Sequence, residues 1–222
     1  MILFRWLSQW LYPPKCVLCG CLLEGEETDL CHHCRIHAPE CPITNSRYPY
    51  LNKWVALWYY EDVVRRSLLH YKFYGKRSYA SVYARLLGMK LMREDMLDVD
   101  VLTYVPISAK RRRKRGFDQV ELLAEKLGQE IGMPPMPLLK KTRDNPAQSG
   151  ISGQAERRAN VLGVYEVLQP EQIADKRVLL LDDIVTTGAT AAECARVLLT
   201  AGAKEVHFAV IAAARQHKKV NR

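Results

Sequence analysis

No stretch of this 222-residue chain is apolar for long enough to cross a bilayer as a helix. The most apolar end, Met1 to Leu11, is cut by Arg5, Ser8 and Gln9 and is too short for a span or a secretory leader, so the expected compartment is the cytoplasm. Internal repeats and low-complexity tracts are also missing, which excludes solenoid arrays and compositionally biased rods. Acidic charge is scarce: 24 Asp and Glu face 33 Lys and Arg, leaving a formal charge of +9. That deficit implies a polyanionic partner, for which pyrophosphate, nucleic acid and an anionic membrane surface all qualify. Charge by itself does not choose among them.

Cysteine, in contrast, is plentiful, with seven in the chain. Cys16-x-x-Cys19 and Cys31-x-x-Cys34 are separated by eleven residues. In a reducing compartment paired cysteines act as metal ligands more often than as disulfides, and this spacing lets two knuckles converge on one tetrahedral Zn²⁺. Four free buried thiols are the plainer alternative, but Glu24, Glu26, Glu27 and Asp29 between the pairs make that segment polar. A closed four-cysteine shell is structural rather than catalytic. Cys21, His32, His33 and Cys41 lie near enough to substitute as ligands and are expected to be bystanders.

Ahead of the cysteines, Phe4, Leu7 and Leu11 fall at helical spacing. After them, Pro39 to Pro49 carries Pro, Asn and Ser without periodicity and reads as a linker. The expected organisation is a zinc-binding module over 1–50 and an α/β domain with a parallel sheet over 51–222. In that domain the pattern predicts strands over 54–60, 99–105 and 206–211. Helices are expected over 63–71, with Val63, Leu68 and Leu69 inward, over 79–97, around Val120 to Ile131, and from Ala192 to Leu198 with Gly202 ending it. Lys72-Phe73-Tyr74-Gly75-Lys76-Arg77 is basic and aromatic by turns, suited to stacking on bases, to binding phosphate, or to being a solvated turn. Lys110 to Arg115 puts six cations in a row in what is expected to be a loop. The Gly- and Ser-bearing segment from Lys140 to Asn160 reads as a hood over the site or as a linker, with Arg157 and Arg158 able to close on a ligand. Lys218, Lys219 and Arg222 make a basic tail.

The most informative stretch runs from Val178 to Thr190. Four aliphatic residues suit a strand buried on both faces, with Asp182 and Asp183 emerging at its carboxyl end, where open α/β sheets bind ligands. Thr186, Thr187, Gly188, Ala189 and Thr190 follow, and Thr190 to Glu193 resembles a capping box at a helix start. A small-residue loop at a helix amino end favours a phosphate. A lone Thr-Thr-Gly would be an ordinary strand-turn-helix connection, but the preceding acidic pair changes that reading.

Apolar run, Asp-Asp, apolar pair and Thr-Thr-Gly-x-Thr together resemble the phosphoribosyl-pyrophosphate (PRPP) signature of type I phosphoribosyltransferases. The resemblance implies that Thr186 to Thr190 hold the 5′-phosphate and that Asp182 and Asp183 hold the ribose hydroxyls near Mg²⁺. Arg111, Arg112 and Lys114 are then candidates to stabilise pyrophosphate. Val105-Pro106 and Arg115-Gly116-Phe117-Asp118-Gln119 resemble the ComF family of competence-associated proteins, and Thr142, Gln148, Arg157 and Asn160-Val161 follow in that family's order. The resemblance implies a zinc module joined to a phosphoribosyltransferase-like domain. It further implies the handling of single-stranded DNA in natural transformation, alongside a helicase-like ATPase. Transfer of the phosphoribosyl group to a nitrogen acceptor is the alternative. Two departures stand out: Asp118 replaces the usual Asn, adding a negative charge near the pyrophosphate, and Cys41-Pro42-Ile43-Thr44 lacks a second cysteine, which argues for a single zinc.

Overall fold

The computed structural model describes residues 13–42, 48–143 and 154–215, excluding the side chains of Gln154, Ala155, Arg157 and Arg158. The expected turn around Phe4, Leu7 and Leu11, the segment with Gln148, Gly150 and Gly153, the Arg157 and Arg158 side chains, and the tail bearing Lys218, Lys219 and Arg222 lie outside the described residues.

A short helix α1 (His32–His37) precedes β1 (Trp54–Tyr59), α2 (Asp62–Phe73), α3 (Tyr79–Arg93) and β2 (Val101–Tyr104). Then come α4 (Ala109–Arg115), α5 (Gln119–Ile131), β3 (Leu139–Lys141), α6 (Gln154–Val161), β4 (Tyr165–Val167), β5 (Arg177–Val185), α7 (Ala189–Thr200) and β6 (Glu205–Ala213). Strands β1, β6, β5 and β2 form one parallel sheet in that order, and β3 pairs antiparallel with β4.

The apolar run of β5 makes it the centre of this sheet. Successive strand side chains face opposite ways: Leu179 and Leu181 join a core with residues of α2, α3 and α5, while Val178 and Leu180 join a second core with Ala191, Cys194, Ala195 and Leu198 of α7. A strand covered on both sides has to be apolar at every position, which is why it shows no alternation. Because β2 is followed by α5 on one face and β5 by α7 on the other, their carboxyl ends diverge, and a crevice opens there.

The cysteine-bearing segment packs directly on the larger domain. Cys16, Val17, Leu18, Leu30, Cys31 and Cys34 share a core with Leu68, Tyr83 and Leu87. Ser67 donates to the Val17 carbonyl, Arg85 pairs with Asp29, and Lys90 donates to the Cys41 carbonyl at 2.9 Å.

Several expectations are corrected. The basic run is a helix, α4, not a loop: Ser108 caps it by accepting the Arg111 N–H, and Gly116 ends it in the left-handed conformation at φ +77°. It buries no residue, so no apolar periodicity announced it, while Lys and Arg are good helix formers. Thr190 does not cap α7; Gly188 stands at the N-cap, and Glu193 instead accepts the Gly163 N–H at 2.8 Å and pairs with Arg196. Part of the 140–160 segment is helical, as α6. In α2 the buried face is Val64, Ser67, Leu68 and Tyr71, with Val63 and Leu69 only half-buried, and α3 stops at Arg93. Among the described residues no helix is long and apolar enough to cross a membrane.

Candidate ligand cavity and cysteine cluster

Asp182 and Asp183 belong to the carboxyl-terminal half of β5 rather than to the loop beyond it. Although consecutive, both line a cavity of about 450 Å³ at the carboxyl end of the sheet. Asp183 points toward α2 and α5, where Lys72 Nζ donates to Oδ1 at 2.8 Å and Gln119 Nε2 to Oδ2 at 2.7 Å. Gln119 is itself held by the Tyr71 hydroxyl, which donates to its carbonyl at 2.5 Å. Asp182 accepts the Asp183 N–H at 2.7 Å. Burial first, and the Asp183 carboxylate second, push the Asp182 carboxyl well above the ordinary aspartate range. Asp183 therefore has its charge met by Lys72, whereas Asp182 stands short of positive charge in a half-buried place on the cavity wall, the setting in which a cation or sugar hydroxyls would be taken up.

The loop from Thr186 to Thr190 forms one lip of the cavity, which Thr186 and Thr190 line. Thr187, Gly188 and Ala189 face an adjoining hollow of about 260 Å³ shared with Tyr50, Leu162 and Arg196. Gly188 sits at φ +77°, and a Cβ there would collide with the ring of Tyr48. Glycine is thus required twice, for the left-handed turn and for the buried tyrosine lying against it. The first turn of α7 follows at once, and its amide groups lack intrahelical acceptors, as at every helix start.

Of the basic candidates, Arg111 and also Arg115, Lys72, Arg65 and Lys141 line the cavity. Arg112 lies elsewhere, paired with Glu121 at 2.8 Å beside a separate hollow with Asp118 and Phe117. Lys114 is exposed on α4. Asp118 turns away from the cavity: it caps α5, accepting the Val120 and Glu121 N–H groups at 2.9 and 3.2 Å, and accepts the Ile107 N–H at 3.1 Å. Its charge is spent on three amides, so it does not stand in the way of an anion. Sequence reasoning assigned no role to Gln119 or Tyr48, and gave Lys72 only a share in a stretch suited to bases or phosphate, not a pairing with Asp183. Lys72 sits in the basic-aromatic stretch and Gln119 in the Arg-Gly-Phe-Asp-Gln segment, but partners 111 and 64 positions away in the chain are invisible to local pattern.

The four sulfurs of Cys16, Cys19, Cys31 and Cys34 lie within 4.8 Å of one another, a cluster that can hold a metal ion. The Cys19 and Cys31 sulfurs are 3.7 Å apart, close to the edge of a tetrahedron with metal–sulfur bonds of about 2.3 Å. The knuckles are shaped by the backbone: Gly20 N–H donates to the Cys16 carbonyl at 2.9 Å, and the Cys34 N–H points at the Cys31 sulfur at 3.4 Å. An all-thiolate set of this size suits zinc. Cys21 is exposed with its sulfur 3.3 Å from that of Cys19, outside the four. His33 lies against His37 with the rings tilted, centroids 4.6 Å apart, and Cys41 is buried in the other core.

With this geometry established, comparison with known proteins gives a consistent result. The phosphoribosyl transferase domain family matches residues 114–222. Competence protein F of Haemophilus influenzae is 26% identical over 207 residues, covering 88% of this chain and 90% of that protein. Competence protein ComFC of Streptococcus pneumoniae is 28% identical over 223 residues, covering 86% and 96%. Over most of its length the chain is therefore similar to the ComF competence proteins. DNA utilization protein YhgH of Escherichia coli K12 is similarly related, at 27% identity over 201 residues and 86% of each chain. Like the proteins it resembles in sequence, the chain is matched by the phosphoribosyl transferase domain family, and it combines a parallel α/β sheet with an amino-terminal cysteine cluster fit for a metal.

Proposed function

We propose that this protein, like the ComF proteins it resembles, binds PRPP with Mg²⁺ in the cavity at the carboxyl end of β5 and handles incoming single-stranded DNA in the cytoplasm during natural transformation. The observation that carries the reading is the convergence on one cavity of Asp182 and Asp183, the lip residues Thr186 and Thr190, and Lys72, Arg111 and Arg115. Acids on one side suit ribose hydroxyls and a hydrated divalent ion, and cations on the other suit pyrophosphate. In this reading Thr187, Gly188 and Ala189 complete the cup for the 5′-phosphate, Asp182 and Asp183 grip the sugar, and Mg²⁺, when bound, offsets pyrophosphate charge. Arg111 and Arg115 complement the pyrophosphate directly; Arg112 and Lys114, placed outside the cavity, serve the strand instead. Residues 1–50, with structural Zn²⁺ on Cys16, Cys19, Cys31 and Cys34, act as a module on the 51–222 domain and as the docking surface for a helicase-like competence ATPase.

Calorimetric titration of the full chain with PRPP and Mg²⁺ tests the site: micromolar binding is expected, and Asp182→Asn/Asp183→Asn is expected to abolish it. Unaltered binding in that double variant sinks the proposal. A second reading, transfer of the phosphoribosyl group to a nitrogen acceptor without DNA contact, is favoured by Lys72 and Arg115, which stand where a departing pyrophosphate needs charge. Pyrophosphate release across a panel of nitrogen acceptors distinguishes it.

A further inference from the structure

Phe73 is used by neither the acidic pair nor the phosphate loop. It is the last residue of α2 and is 54% exposed, yet it belongs to the cavity wall along with Arg65, Lys72, Arg111 and Arg115. The guanidinium of Arg115 lies 4.7 Å from the centroid of its ring, over one face, while about half of the residue stays accessible. The ring is not loosely held. Its chain neighbours are anchored, Tyr71 to the Gln119 carbonyl at 2.5 Å and Lys72 to Asp183 at 2.8 Å, so α2 ends in a fixed position.

An aromatic face backed by a guanidinium and set in a cationic wall matches a particular ligand chemistry: a flat π surface attached to a chain of negative charges. Unpaired bases of a nucleic-acid strand offer it, whereas a duplex buries those faces in its own stack. We propose that Phe73, backed by Arg115, is a stacking platform for an unpaired base, with the strand's phosphates running past Arg65 and Arg111 toward α4. The inference rests on the strand-handling reading above. It adds which part of the strand is gripped and puts that grip at the rim of the proposed PRPP cavity. Tyr74 is a built-in control: it is more exposed, at 71%, but stands outside the cavity wall, edge-on to His70 at 5.3 Å.

Fluorescence anisotropy on the full chain, using labelled oligothymidylate and an abasic strand of equal length, separates bases from phosphates. The wild-type chain is expected to bind the abasic strand more weakly by about five- to a hundred-fold, the range of one stacked base. Phe73→Ala and the volume-keeping Phe73→Leu are expected to lose that discrimination, binding both strands equally with the salt slope unchanged. Tyr74→Ala is expected to keep it. Equal wild-type affinity for the two strands, or an equal loss in the Tyr74 variant, overturns the platform while leaving phosphate-based strand handling intact. Failure of the wild-type chain to bind either strand at low salt overturns strand handling and the platform together.

Discussion

Gly188 concentrates two constraints in one position, its φ of +77° and the Tyr48 ring where a side chain would go. Gly188→Ala is expected to destabilise the chain by about 1–3 kcal/mol, seen as a lower Tm. Tyr48→Ala in the same background is expected to restore only the steric share, because the backbone strain remains. Glu193 makes a different sort of link, tying Gly163 just after α6 to Arg196 on α7. The Arg196 guanidinium, seconded by the Gly163 N–H, holds its carboxyl below the usual glutamate value. A depressed carboxylate stabilises the fold above its unfolded pKa, and that stability disappears as pH falls through the lower folded value. Glu193→Gln is therefore expected to cost about 1 kcal/mol or more at pH 7, with the gap in Tm to the wild-type chain closing in acid. A gap that persists unchanged to acid would falsify the ionic account.

At the scale of elements, α4 and the cysteine knuckles carry distinct predictions. Lys110, Arg113 and Lys114 lie on α4 outside the cavity wall, so replacing them with Gln tests strand binding without touching the proposed pyrophosphate site. Single-strand affinity is expected to fall, and the slope of log K against log salt to flatten by about 0.7 for each phosphate that the variant no longer neutralises, measured by anisotropy from low to physiological salt. PRPP calorimetry is expected to be unaffected in the same variant. The knuckles are not a tethered appendage: Val17, Leu18 and Leu30 are part of the core that α2 and α3 build. Removing metal with a chelator is accordingly expected to lower the Tm of the whole chain in one transition. An unchanged main transition with a separate small one would show the module unfolding on its own.

For the whole molecule, the fold was legible where pattern is local. The aliphatic run of β5, the apolar spacing of α5 and α7, and the paired Cys-x-x-Cys knuckles each announce themselves within a dozen residues, because burial on a strand or helix face repeats at a fixed interval. The basic helix α4 escaped because a seven-residue helix that buries nothing leaves no periodicity to find. Capping of α7 was misjudged because Glu193 found partners in Gly163 and Arg196, and local sequence does not reveal that competition. Net charge of +9 announced an anionic partner but not its place. Folding sorted the cations, sending Arg111 and Arg115 into the cavity and Arg112 to Glu121.

The sequence by itself determined the parallel α/β class, the acidic pair ahead of a threonine- and glycine-bearing loop, and the four thiols, since each depends on residue type and spacing along one element. Only the tertiary structure decided that Lys72 neutralises Asp183 while Asp182 remains undercompensated, that Tyr48 closes on Gly188, and that Phe73 meets Arg115 at the cavity rim. Those outcomes join positions tens to more than a hundred residues apart. Which charges meet there is set by how the helices pack on the two faces of the sheet, a global result that no local propensity encodes.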